Sequence, residues 1–558
     1  MAATKNTKRE YHKAETAEVA AFIDNLKGNS VKDGTFDSAA AADFISTASN
    51  QNIGVKVPDH LQAVFDEAQG EDVALVTRAI FDGVASYESQ HGESAPADLI
   101  EQAIHSAFAT TRHARTKYSL DSANSNASDV NSLQPNRAVV AILSAMGDAI
   151  PFAHYLPADI ASNEAILAIM SHNAGSTYGR YAQGGLMDGS LSGDAYISSS
   201  RVHKSFPAVT TGNITGALTS VQDTDETCAG GVAVKLMRGR SIVYVNGVIA
   251  AREMDATGSG NSPVSGTITI AGTSYAIGGT INTDTGVYAL TSTPGLAVGV
   301  PVVVEGFIDY ERAPELTPSI ITAVNTYKLH AKPWRATTSA TIDSRTQMAN
   351  ELGLDPFSES VIAIQAQFAN ERHYEVLGKA RRLAANNQPG DFDFNWSVRS
   401  AQMNRSSIFT DLGAVIGSAS QQMAIDTMNH GITHLYVGKK LAAVMRSLPK
   451  DVFEPSGITD RPCIYRLGSL FGTYEVYYTP KGVAETATSA QILCVGRATD
   501  VTRNPFILGD AVPPTVIPLA VGQDLRQGAG FYARNFTSVN PNAQAALGCA
   551  LINVINLG

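Results

Sequence analysis

The chain has 558 residues, 44% of them hydrophobic and 17% charged, with a net charge of −11 at neutral pH. That length exceeds one hydrophobic core and predicts several lobes, and the composition excludes a fibrous or wholly disordered chain. The acidic balance excludes a general nucleic-acid binder, because phosphate neutralisation needs concentrated Lys and Arg, which are scattered here.

Met1 to Lys13 is polar and basic without the apolar core of a secretory signal, and nowhere does an apolar run reach the ~18 residues of a membrane span. Cys228, Cys463, Cys494 and Cys549 lie far apart, with no C-x-x-C, so a reducing compartment and synthesis in the cytosol are expected. Residues 1–117 predict a separate, acidic, helical region. Its candidate helices are Lys13–Leu26, Asp59–Ala68, Asp72–Tyr87 (Val76, Ile80, Val84 and Tyr87 on one face) and a fourth carrying Ile100, Ile104 and Phe108. Ser122–Ser128 reads as a polar linker.

Two apolar segments, Ala138–Met146 and Asn163–Met170, predict helices, and glycine-rich Gly175–Gly193 predicts an extended arm that needs a partner surface. A β-rich block runs from about Gly212 to Tyr310. Within it, Asn246-Gly247 between Ile242–Val245 and Val248-Ile249 is a strong hairpin signal, because both turn residues need positive φ. Thr267–Ile270 alternates in period two, and Asn282–Gly286 turns the chain into Val287–Leu290.

Thr326–Lys332 predicts a strand that passes through a short helix and the break Gly353-Leu354-Asp355-Pro356 into one long helix, about Ser358 to Ala385, spanning roughly 40 Å. Val361, Ile364, Phe368, Val376, Ala380 and Leu383 form its apolar stripe, while Glu371, Arg372, Glu375 and Lys379 fall largely elsewhere. Glu359 suits the positive end of the dipole and Arg381 and Arg382 the negative end, before Asn386–Gly390 stops the helix. Beyond it, Ser407–Met428 predicts a helix buried through Ile408, Leu412, Ile416, Ala419 and Met423. Strands at His434–Val437, Tyr474–Tyr478 and Gln491–Val495 and a helix at Gly438–Leu448 complete an α+β pattern without internal repeats.

This order of elements resembles the major capsid proteins of tailed bacteriophages, the Hong Kong 97 fold, in size and layout especially those of T-even-type phages. The resemblance covers roughly Pro318 to Gly558, and more loosely the arm and β-block before it. It rests on Thr326–Lys332 leading through Ser344–Asp355 to the long helix, on Gly468–Pro480, on Val495-Gly496-Arg497 with Asn504–Ile507 and Pro513–Pro518, and on Gly528–Arg534 with Asn540-Pro541. The likeness implies a helical, scaffold-like region at 1–117, which some relatives remove with a prohead protease, and a linker with extended N-arm at 118–211. It implies a β-rich extended loop or insertion at 212–317, a peripheral domain with spine helix at 318–430, an axial domain at 431–530 and a C-terminal return to the peripheral domain at 531–558. It further implies self-assembly into hexamers and pentamers of an icosahedral head shell around double-stranded DNA, in a virion capsid built in the bacterial host cytoplasm. Expected partners are other copies of the chain and portal or vertex, scaffold and decoration proteins. Packaged DNA is near only non-specifically, and no membrane is involved.

Shell subunits close rings through heterologous contacts, and many modest contacts multiply. Gly175–Gly193 and Val243–Leu290 are therefore expected to be interface and not core.

Catalytic signals are poor. Ser447-Leu-Pro-Lys450 fits S-x-x-K, but Pro449 interrupts the helix that would align hydroxyl and amine. His430 and His434 share a metal-like spacing across Gly431 and an expected strand. Gly528-Ala529-Gly530 lacks the Gly-Lys pair of a phosphate loop. The N-x-S/T matches at Asn213, Asn404 and Asn535 carry little in a cytosolic chain. No catalytic, cofactor-binding or metal residue is assigned, and no cofactor or enzymatic activity is expected. The competing readings are a tail-sheath protein that stacks into helical tubes and, from another class, a serine hydrolase using Ser447.

Overall fold

The computed structural model describes residues 8–32, 35–49, 56–67, 71–110, 130–159, 162–209, 212–228, 230–255, 257, 260–353, 356–519 and 525–557. The linker expected at Ser122–Ser128, and Leu354-Asp355 of the expected break, lie outside them. The chain divides into two units, Met1–Ile169 with Thr326–Gly558, and Met170–Asn325.

Among the described residues six helices open the first unit: α1 (Lys8–Ser30), α2 (Ser38–Ser49), α3 (Asp59–Glu67), α4 (Glu71–His91), α5 (Ala97–Thr110) and α6 (Val130–Gly147). Short strands β1 (Val31–Lys32) and β2 (Thr35–Phe36) pair between the first two. Apolar residues at helical spacing bury a shared core that includes Phe22, Leu26, Leu61, Val76, Ile80, Ile104 and Ile142. Helix α2 is not among the expected helices. Asp37 begins it by accepting from Ala39 N and Ala40 N at 3.0 and 3.2 Å.

The lobe is not a separate body, as residues 1–117 were expected to be. Tyr87 and Leu99 reach a second core cluster together with Val376, Leu377, Tyr436 and Tyr477. After β3 (His154–Tyr155), residues 164–174 form strand β4 (Glu164–Ala174), where a helix was expected at Asn163–Met170. Burial alternates, with Ala165, Leu167 and Ile169 inside, and this period of two overrides the helix propensity of Ala, Leu and Met.

The second unit is built on an eight-stranded sheet: β5 (Ser200–Ser205), β6 (Ile214–Ala217), β7 (Ile242–Val245), β8 (Val248–Glu253), β9 (Asn261–Ile270), β10 (Thr273–Asn282), β11 (Val287–Thr293) and β12 (Val302–Phe307), in the order β5-β12-β7-β8-β9-β10-β11-β6. Asn246 and Gly247 both take positive φ, 49° and 78°, as the hairpin requires. At the next turn Asn282 Oδ1 accepts from Asp284 N and Thr285 N at 3.0 and 3.1 Å, and Gly286 has φ 72°. The unit begins well before residue 212, the expected edge of the β-rich block, because the glycine-rich stretch supplies Tyr178 and Tyr181 to its core. Val243, Val245, Ile268, Ile277, Ile281, Tyr288 and Leu290 are core as well. The expectation that Gly175–Gly193 and Val243–Leu290 are interface and not core is thus corrected for the inward-facing residues. Outward residues on the same strands, such as Val248 and Val287, are exposed.

The chain then runs through β13 (Ile320–His330), which pairs with β4, and β14 (Lys332–Thr341) into α7 (Ile342–Leu352). Thr341 caps α7 by accepting from Ser344 N, and Gly353 ends it at φ 64°. Helix α8 (Pro356–Leu383) follows, with Pro356 in its first turn, Glu359 near its start and Arg381 and Arg382 at its close.

Next come β15 (Asp391–Asp393), α9 (Trp396–Arg399), α10 (Arg405–Thr427), β16 (His434–Val437), α11 (Lys439–Arg446), β17 (Phe453–Pro455), β18 (Tyr465–Leu470), β19 (Tyr474–Tyr478), β20 (Ala490–Val495), β21 (Phe506–Pro518), β22 (Arg526–Val539) and β23 (Cys549–Ile555). Seven strands form one sheet, in the order β15-β23-β20-β16-β19-β18-β17. Strand alternation sends Leu435, Val437, Val476, Ile492 and Cys494 to one face, under Ile408, Leu412, Ile416 and Met423 of α10 and Leu441 and Met445 of α11. The intervening residues Tyr436, Tyr477, Leu493 and Val495 cluster instead with Val376, Leu377 and Ala380 of α8. A four-stranded sheet, β14-β22-β21-β3, stands beside it. Residues 531–558 therefore divide: β22 joins the four-stranded sheet, but the final strand β23 pairs with β20 in the seven-stranded sheet, where its nearly continuous apolar run is buried on both faces.

Candidate assembly surfaces and the buried seam

The sequence candidates for chemistry do not converge. Ser447 Oγ donates to Val444 O at 2.6 Å at the end of α11, a helix-end contact. His430 Nδ1 faces its neighbour's carbonyl, Gly431 O, at 3.2 Å, and His434 Nδ1 lies 2.7 Å from Thr433 Oγ1. Among the described residues no group of three His, Cys, Asp or Glu could hold a metal ion. Gly528 sits in the β14–β22 pairing, where a Cβ would come within 2.2 Å of Thr338 O, so its smallness serves strand packing. Asn404 caps α10 through Ser407 N at 2.9 Å, and buried Asn535 accepts from Trp334 Nε1 at 2.8 Å. All four cysteines are free.

What the chain does present is uncovered apolar surface on regular elements. Ile320, Ile321 and Val324 of β13 are 51–53% exposed, and Leu329 is the buried residue of that strand. A two-stranded pairing such as β4–β13 is marginal in water by itself. Helix α8 is divided. Its C-terminal half is buried through Val376, Leu377 and Ala380, and Phe368 at its middle packs edge-on against Trp334 with centroids 5.2 Å apart. Its first three turns are largely open, with Ile362 59% exposed.

Between the helical lobe and the sheets of the same unit lies a seam of buried charge and imidazole. Asp98, in the first turn of α5, is 6% exposed. It accepts from Tyr155 N at 2.8 Å, with His154 Nδ1 at 3.1 Å and Arg497 Nη2 at 3.7 Å. Burial pushes its carboxyl up, but the His154 hydrogen bond and charge, Arg497 and the Tyr155 amide prevail and hold it at about 2. His154 Nε2 reaches Ala498 O at 2.7 Å, and these groups line a groove of about 870 Å³ between α1, the start of α5 and the loop 497–503. Arg372 of α8, expected off the apolar stripe, is 4% exposed and pairs with Asp510 of β21 at 2.9 Å, while Asp510 N donates to Gln102 of α5 at 3.4 Å. Asp148, whose carboxyl burial raises to about 6 against the pull of Arg372, completes this group.

The third part is an imidazole–phenol cluster. His91 Nδ1 lies 3.0 Å from Tyr477 Oη, and His373 Nε2 lies 3.2 Å from Tyr436 Oη. The two tyrosine rings stack at 5.4 Å, and His434 and Phe152 contact them at ring distances of 5.9 and 5.6 Å. Sequence reading missed this seam, since its hydrogen-bonded partners lie up to 408 residues apart. Its one local trace is the set of polar residues, His91, Asp98 and Gln102, on otherwise apolar helices.

No protein-family model matches the chain, and no curated protein does. Solved structures similar to it include phage capsids and an encapsulin. One is the capsid of the jumbo bacteriophage PhiKZ, at 10% identity over 72% of this chain and 91% of that one, with a TM-score of 0.36. Another is the capsid of Myoviridae phage XM1, at 9% identity over 43% and 78% with a TM-score of 0.28. A third is the SrpI encapsulin complex of Synechococcus elongatus PCC 7942, at 11% identity over 43% and 79% with a TM-score of 0.27.

Proposed function

We propose that the chain is the major capsid subunit of a tailed phage, assembling with copies of itself into hexamers and pentamers of an icosahedral head shell that encloses double-stranded DNA. The observation that carries this reading is the uncovered regular backbone. Strand β13 and the first turns of α8 are fully formed yet expose Ile320, Ile321, Val324 and Ile362, a pattern that makes sense when a neighbour supplies the missing cover. Repeated around a ring and between rings, such contacts close a shell without any step of catalysis. Portal, scaffold and decoration proteins would meet the same shell, the DNA would be held as contents, and assembly would take place in the host cytoplasm. The acidic net charge of −11 suits a wall that does not adhere to what it contains.

Electron micrographs of the purified assembly test this directly. Closed polyhedral shells are expected, tubes would favour the tail-sheath reading, and a monodisperse monomer would overturn both. The surface claim is tested by I321D/V324D, which replaces exposed side chains and so should leave the subunit folded but stop shell formation. Normal shells from that variant would remove β13 from the interface. Deletion of Thr267–Leu290 is unsuitable as a surface test, because it removes Ile268, Ile277, Ile281 and Tyr288 from the core of the second unit.

A further inference from the structure

We propose that the helical lobe, residues 8–147, is a clasp that acid releases from the rest of its unit, with the cluster of His91, His373 and His434 around Tyr436 and Tyr477 as its sensor. Two observations make the lobe separable. It has an apolar core of its own, from Phe22 and Leu26 to Ile142 and Met146. Of the cluster it shares with the sheets, it contributes Tyr87 and Leu99 to the buried set and Ala95 at its edge, and polar groups, Asp98, Gln102 and His91, carry hydrogen bonds across the junction. Polar junctions of this kind are the ones that open.

The cluster fixes the sign. His434 is 1% exposed, with Thr433 Oγ1 at Nδ1 and no partner at Nε2 among the described residues, so an added proton would sit on a buried N–H without an acceptor. The cations facing His91 are Arg466, whose guanidinium lies against Gly92, and Arg497; both oppose a further positive charge. Glu93 and Glu475 are the carboxylates nearby, Glu475 already taken by Arg466. His373 faces Tyr436 and Phe152. Along the same seam stand Asp98, His154, His430, Asp148, Arg372 and Asp510, already described or adjoining.

Burial, helped by these cations, holds His91 at about 4, and burial chiefly holds His373 and His434 at about 3, all below the ordinary 6.5. A histidine whose docked value is depressed binds protons better once exposed. The docked state is therefore fully favoured above about pH 6.5 and loses ground as pH falls towards about 4. Asp98, held at about 2, acts in the same direction at still lower pH. Glu93 and Asp148, both raised by burial, act the other way, two carboxyls against three imidazoles.

The free full-length subunit serves for the test, so the outcome is independent of the capsid reading. Dyes on L75C and V398C, in a C463S background, report lobe-to-body distance by energy transfer while far-UV circular dichroism reports helix content. Both labelled positions are exposed. Between about pH 6.5 and 4 the transfer should fall reversibly at constant helix content, and H91Q and H434Q should each lower the midpoint by about half a pH unit or more. If H91Q does not fold at neutral pH, H373Q takes its place. Transfer that holds until the helices themselves melt, or a midpoint unmoved by these variants, overturns the proposal.

Discussion

The two halves of α8 are one continuous helix with opposite fates. From Phe368 to Leu383 it carries buried Val376, Leu377 and Ala380 and a fully buried Arg372 paired with Asp510; from Pro356 to Gln367 the stripe residues Val361 and Ile364 are half-buried, Ile364 against the Phe368–Phe531–Ala533 cluster, and Ile362 beside the stripe is 59% exposed. Periodicity reports which side chains share a face, and both halves have a face. It does not report whether the cover for that face lies in the same chain. A helix whose second half is buried in its own subunit while its first turns stay largely open is what a tile needs if one part anchors and the other meets a neighbour.

The sharpest contrast comes from breaking the anchored half. R372A leaves Asp510 charged, buried and unpaired, and should cost about 3–5 kcal/mol in denaturant unfolding. The double variant R372M/D510L should recover much of that loss, because apolar replacements of a buried pair are often neutral or better. A loss under about 1 kcal/mol for R372A would mean that water reaches Asp510 and that the anchored half is not dry. Next in size, L377A removes a side chain 1% exposed and should cost about 2–4 kcal/mol.

A smaller effect tests the charge balance at that half. Asp148 has a folded value of about 6, raised from the carboxylate range, so the folded state holds its proton longer than the unfolded chain does. Stability from this group is complete below about pH 4 and is lost as pH rises through about 6. D148N should therefore be more stable than the parent at pH 7, by on the order of 1 kcal/mol, and no more stable at pH 4. Thermal melts at the two pH values measure it. A D148N advantage that grows on acidification would reverse the assignment.

Local pattern made much of this legible. Ile408, Leu412, Ile416, Ala419 and Met423 are all wholly buried as their spacing predicts, β19 runs over Tyr474–Tyr478 as expected, and the Asn246-Gly247 hairpin has both positive φ values. The misreading at Asn163–Met170 came from weighing helix propensity over an alternation that was present at Ala165, Leu167 and Ile169. Helix α2 was missed because its alanines carry little periodic contrast, although Asp37 stood where a cap belongs. The seam was not legible, because the carboxylate that buries Arg372 lies 138 residues away and the phenol that meets His91 lies 386 away. Charged residues off an apolar stripe read as solvated faces until a partner is brought in by topology. The exposed face of β13 was equally out of reach, since alternation in a strand does not say which side is left bare.

The least effect on the subunit is the one that bears most on assembly. Ile362 is 59% exposed and far from the buried half of α8, so I362K should change the unfolding free energy of the isolated chain by no more than about 0.5 kcal/mol. In a shell, the same lysine would be carried into whatever covers the first turns of the helix, where an unpaired charge is costly. Sedimentation of I362K and the parent under assembling conditions separates the two: equal stability with fewer or no shells is the expected outcome. Equal stability with an equal yield of shells would show that the open half of α8 faces solvent in the particle, and the contact that holds tiles together would then have to be sought on β13 and the outward strands of the second unit.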